Sequence, residues 1–114
     1  MLNDLTANTL LACKVCRADS FWSRFMGLMG KKSFPGEYDC LVFEKCDSIH
    51  CFFMRMPIDV IFADKDLRVV RCFHSLKPWR LAFGGLKSCT TLELPAGTLK
   101  KCRVKPGDLL QMDE

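Results

Sequence analysis

Over most of the chain apolar and polar residues alternate at a period of two, or a short apolar run stands between turn-forming residues. Successive side chains of a strand point to opposite faces, so this pattern predicts β-structure. The candidate strands are TLLACKVC (9–16), DCLVFEK (39–45), SIHCFFM (48–54), IDVIFA (58–63), LRVVRCF (67–73), CTTLEL (89–94) and DLLQM (108–112). The short polar link ADKDL joins two of them and predicts a hairpin over 58–73. Helical spacing occurs clearly once, in DSFWSRFMGLMGKK (19–32), where Phe21, Phe25 and Leu28 share a face. Asp19 or Ser20 can cap its first turn, and Gly30 with two lysines suits its end. The segment 74–88 contains Pro78 and Gly84-Gly85 and reads as a long connection, with Trp79, Leu81 and Phe83 folded back over the sheet. PAGTLKKCRVKPGDLL implies a turn or short helical piece before the last strand.

The run SIHCFFMRMPIDVIFAD (48–64) carries charge inside an otherwise apolar stretch. Pro57 has no N–H to give to a sheet ladder and biases Met56 away from helix, so the run is expected to be two strands meeting at a bend, with Arg55 at the corner. Asp59 then falls on the side of its strand shared with Ile61. A carboxyl buried there needs a partner, because an unpaired buried ion costs several kcal/mol. Arg55, Arg24, His50 or the backbone amides of a rigid turn can supply one, and a neighbouring guanidinium is the expected counter-group. Asp59 is accordingly either a brace for the corner or part of a site.

Length and composition set the class. With 114 residues, 49% hydrophobic and 26% charged, the chain is one globular domain. The net charge of +4 is dispersed, with no continuous basic stripe, so no nucleic-acid partner is expected. Nothing approaches the roughly 20 apolar residues of a membrane span, so no membrane partner is expected either. LLAC at 10–13 looks superficially like a lipid-attachment site, but MLNDLTANT lacks a basic start and an apolar run, which predicts a cytoplasmic chain. The eight cysteines fit reduced thiols used as small hydrophobes. The only CxxC, Cys13 to Cys16, lies in strand-like sequence where its two thiols would face opposite ways, so no metal and no cofactor are expected.

Four segments occur in order, SRFMGLMG, SIHCFFMRMPIDVIFADKDLRVV, LELPAGT and VKPGDLL, and together they resemble the prokaryotic family known as domain of unknown function 192. The likeness runs from about residue 12 to residue 112. It implies a compact, mainly β fold: a mostly antiparallel β sandwich or barrel with one amphipathic α-helix packed against it. It implies no activity. The pattern positions it marks include Arg24, Gly27, His50, Phe52, Met54, Arg55, Pro57, Asp59, Glu93, Pro95, Gly97, Gly107 and Asp108.

The leading functional expectation is a small binding domain for a small molecule or protein. Arg24, His50, Arg55, Asp59 and Glu93 would be its polar groups, beside a pocket of Phe52, Met54 and Trp79, since ligand pockets combine apolar walls with a few polar anchors. A hydrolase using Asp59 or Glu93 as general acid or base is the alternative, and an assembly accessory the third. No nucleophile elbow, phosphate loop or HExxH occurs, so no catalytic residue is assigned.

Overall fold

Asp64 shapes the central hairpin. Its Oδ1 accepts the N–H groups of Asp66 and Arg68, both at 2.9 Å, and its carbonyl accepts the N–H of Leu67 at 3.0 Å. An aspartate whose side chain mimics a turn is what the DKDL sequence offers, and Leu67 takes a left-handed φ of 65° to close it. The strands so joined are Ile58–Ala63 and Val69–Leu76, as the residue pattern predicts.

The computed structural model describes residues 1–18, 33–34, 36–50 and 54–113, with His50 described through its backbone alone. In chain order the described elements are β1 (Leu2–Asp4), β2 (Thr9–Ala12), β3 (Val15–Arg17), β4 (Cys40–Glu44) and β5 (Ser48–His50). They continue with β6 (Ile58–Ala63), β7 (Val69–Leu76), β8 (Leu81–Phe83), β9 (Thr90–Pro95), α1 (Thr98–Cys102) and β10 (Leu110–Met112). The helix expected over 19–32 lies outside the described residues.

β3, β4, β9, β6 and β7 form a five-stranded sheet in that order, antiparallel except for the β3–β4 pair. A three-stranded sheet, β10-β1-β2, and a two-stranded ribbon, β5-β8, accompany it. The mainly β, mostly antiparallel layered fold agrees with the expectation from the sequence. The large sheet is apolar on both faces, because its strands alternate between two separate cores. Val42, Ile61, Leu92 and Leu94 pack on one side with Leu2, Leu11 and Leu110 of the three-stranded sheet and Leu99 of α1. Leu41, Phe43, Val60 and Phe62 pack on the other with Ala82 of the ribbon and with Met54 and Met56 of the corner before β6. Each such fully buried Leu, Ile or Phe contributes about 1.5–3 kcal/mol.

Three expectations need correction. TLLACKVC is two strands, since Asp39 accepts the N–H groups of Cys13 and Lys14 at 2.9 and 2.7 Å and turns the chain there. The connection 74–88 contains a strand of its own, β8, paired with β5. Trp79, Leu81 and Phe83 do not fold back over the sheet. They are 55%, 57% and 59% exposed, and for Leu81 and Phe83 the cause is the pairing with β5, which directs the small Ala82 inward and sends its two neighbours out.

Candidate functional site

A bulge gives Asp59 its first partner. Between Ile58 and Val60 the pairing with β7 advances from Leu76 to Phe73, so β7 holds an extra residue, and Ser75 adopts a left-handed φ of 50°. The Ser75 N–H points out of the ladder and donates to Asp59 Oδ1 at 2.8 Å. Gly97 and Leu99 donate to Oδ2 at 3.1 and 2.8 Å. Gly97 opens α1 with φ 96°, where a residue other than glycine is strained, and has no side chain to cap the helix. Asp59, reaching from another strand, serves in place of that cap. Of the partners open to Asp59, the backbone amides are therefore the ones that hold it among the described residues, while Arg55 stands exposed at the corner. Fully buried and with both oxygens engaged, Asp59 is a brace joining β6, β7 and α1.

Glu93 is the opposite case. It sits at the centre of β9, opposite Leu41 of β4 and Val60 of β6, and is 4% exposed. It makes no hydrogen bond or ion pair among the described residues. Burial pushes its carboxyl up to about 8, so near neutral pH it carries its proton. Its face also holds Thr91, whose hydroxyl is engaged in donating to the Cys46 carbonyl at 2.8 Å, and the apolar core of Met54, Met56 and Phe62. Phe34 and Tyr38 pack on the same core, ring edge to ring face, 6.1 Å apart. The Tyr38 hydroxyl is pushed up by burial first, then by Cys16, Glu93 and Glu37.

The expected cluster is thus divided. Met54 and Glu93 belong to one core side, Asp59 to the other, and Arg55 and Trp79 are on the surface. Arg24, Phe52 and the His50 side chain lie outside the described residues. Tyr38 and Met56 join Glu93's side without having been singled out from sequence. The two aromatic residues bracketing the Pro-Gly dipeptide in the sequence FPGEY were the available sign for Tyr38.

Two further features bear on chemistry. Asp4 and Asp108 form a second buried acidic group: Asp4 Oδ1 accepts the Ala7 N–H at 2.9 Å, while Oδ2 has no donor. Burial, and then the neighbouring Asp108, raise the Asp4 carboxyl to about 6. A separate cleft of about 360 Å³ is lined by Arg17, Glu44, Lys45, Lys65 and Cys89, with Arg17 and Glu44 already ion-paired. Among the described residues no three His, Cys, Asp or Glu side chains gather as metal ligands.

Comparison with known proteins agrees with the architecture. The family model DUF192, described as Uncharacterized ACR, matches residues 4–112. The chain is 39% identical over 103 residues to a UPF0127 protein of Thermococcus kodakarensis, covering 85% of this chain but 63% of that protein, so it spans less than two thirds of that relative. It is 38% identical over 96 residues to a UPF0127 protein of Pyrococcus horikoshii, covering 82% and 83% of the two chains. The crystal structure of a protein of unknown function from Novosphingobium aromaticivorans matches with a TM-score of 0.74 at 20% identity, over 86% of this chain and 74% of that one, a likeness of fold.

Proposed function

The chain belongs to the DUF192 family of uncharacterised proteins, and from that premise we propose that it is a small binding domain whose ligand is anchored by Glu93. The observation that carries this reading is a carboxyl on a central strand, nearly withdrawn from water, with no partner among the described residues. Folding tolerates such a group at a cost, and strongly perturbed acids concentrate at functional sites. A protonated carboxyl among Met54, Met56, Phe34 and Tyr38 suits a mostly apolar molecule with one polar group. Acid–base hydrolysis is less well supported, since it needs a second group within reach and Asp59 projects to the far side of the sheet.

A thermal-shift screen of apolar amines, alcohols and carboxylic acids tests the reading on the wild type and on Glu93→Leu. A ligand of the native state raises the wild-type Tm and leaves the folded variant unmoved. If the folded variant responds like the wild type to every compound, or neither responds to any, Glu93 is no anchor.

A reducing, cytoplasmic location fits this reading. The seven described cysteines are free thiols, and burial holds Cys40 far above the usual thiol range. Burial, followed by Asp108, Asp59 and Asp4, pushes Cys72 up to about 11. Among the described residues no helix is long and apolar enough to cross a membrane.

A further inference from the structure

We infer that the outer side of β8 and the loop after it form a peripheral docking site for an anionic lipid surface. In an extended strand alternate side chains share a face, so Leu81 and Phe83 project together, away from the buried Ala82. Trp79 precedes them, also exposed, and Leu86 in the following loop is fully solvated at 106%. Isolated exposed leucines are ordinary, but four large apolar side chains within eight residues are a patch.

The loop has a firm base. Gly84 and Ser88 are both buried, and the Gly84 N–H donates to the Asp47 carbonyl at 2.7 Å. A Cβ on Gly84 would come within 2.4 Å of Ser88 Oγ and 2.7 Å of the Phe62 ring, so the chain is clamped there. Gly85, Leu86 and Lys87 therefore project from a fixed point, where Leu86 has no packing role.

Charge selects the occupant. Residues 71–88 carry Arg71, Lys77, Arg80 and Lys87 and no acid. All four are exposed, and Arg71 is stationed beside the patch, its guanidinium 4.7 Å above the Phe73 ring and donating to the Phe83 carbonyl at 2.9 Å. Asp47 is an exposed acid nearby, which leaves the cations in excess. Aromatic and aliphatic tips among lysines and arginines match the boundary between acyl chains and acidic headgroups. Four apolar side chains are few against the roughly 20–30 residues a side of a stable protein interface, whereas a bilayer makes no demand for matching shape. The site departs from the absence of a membrane partner expected from sequence, because a surface contact needs no spanning segment.

Flotation of the full chain with vesicles tests this. The wild type is expected to float with vesicles of phosphatidylcholine and phosphatidylglycerol, not with phosphatidylcholine alone, and to be released by high salt. Lys87→Gln is expected to lower the partition coefficient about five-fold. Leu86→Ser and Phe83→Ser are expected to reduce it further while melting like the wild type, since both side chains are exposed. Failure to float with anionic vesicles, equal flotation with neutral ones, indifference to both serine substitutions, or binding to soluble polyglutamate in place of vesicles would overturn the proposal.

Discussion

Asp59 on β6 lies opposite Leu94 of β9, and Val60 lies opposite Glu93, so the carboxyls of Asp59 and Glu93 project from neighbouring strands to opposite faces of one sheet. That offset of a single residue separates their roles. Asp59 meets the bulge at Ser75 and the start of α1, where three N–H groups converge on it. Glu93 meets an apolar core and finds none of these donors.

Asp59→Ala is expected to lose roughly 2–4 kcal/mol in urea unfolding, because it leaves the buried Leu99 N–H unpaired, at about 1–3 kcal/mol, and takes the acceptor from the part-buried N–H groups of Ser75 and Gly97. Asp59→Asn keeps one acceptor oxygen and is expected to lose less. An alanine variant within about 1 kcal/mol of the wild type would contradict the bracing role.

Arg55→Ala is expected to change stability by no more than about 0.5 kcal/mol, since the side chain is exposed and makes no ion pair among the described residues. A loss of about 2 kcal/mol in the same experiment would mean that the corner depends on the guanidinium after all.

Glu93 makes stability depend on pH. Its folded value of about 8 lies above the ordinary 4.5, so between these values the native state holds a proton that the unfolded chain releases. Stability therefore falls as pH rises from about 4.5 to about 8, by several kcal/mol in all, and levels off on either side. Denaturant midpoints measured from about pH 6, above the Asp4 window, to about pH 8 should show the slope in the wild type and not in Glu93→Gln. Glu93→Leu should be more stable than the wild type at pH 9, and a flat wild-type profile would refute the burial of an unpaired acid.

Asp4 works in the same direction over a lower window. Its carboxyl is raised from 3.8 to about 6, so between those values the native state holds a proton that the unfolded chain releases, and stability falls as pH climbs. The Leu5 N–H to Leu109 carbonyl bond at 2.8 Å ties the first strand's end to the chain before β10, and it should exchange faster at pH 7 than at pH 4.5 after correction for intrinsic rates. Asp4→Asn, whose amide can donate to Asp108, should remove the difference.

The residue pattern by itself determined that the fold is mainly β, the central strands β4, β6, β7 and β9, the turn at Asp64, the break at Pro57, and the presence of a carboxyl needing a partner at residue 59; it missed β1 and β8. These depend on neighbours in sequence: period-two alternation, a side chain that folds a turn, a ring without an N–H. The partner of Asp59 was beyond it, because Ser75, Gly97 and Leu99 reach that carboxyl only through a bulge and a helix start 16 to 40 positions away. Strand register decided that Asp59 and Glu93 part company, since shifting a pairing by one residue reverses every face. Pairing of β8 with β5 likewise decided that Leu81 and Phe83 meet solvent, where composition alone would bury them. Local propensity is written in adjacent residues, whereas facing, burial and charge state arise from which distant strands come to lie side by side.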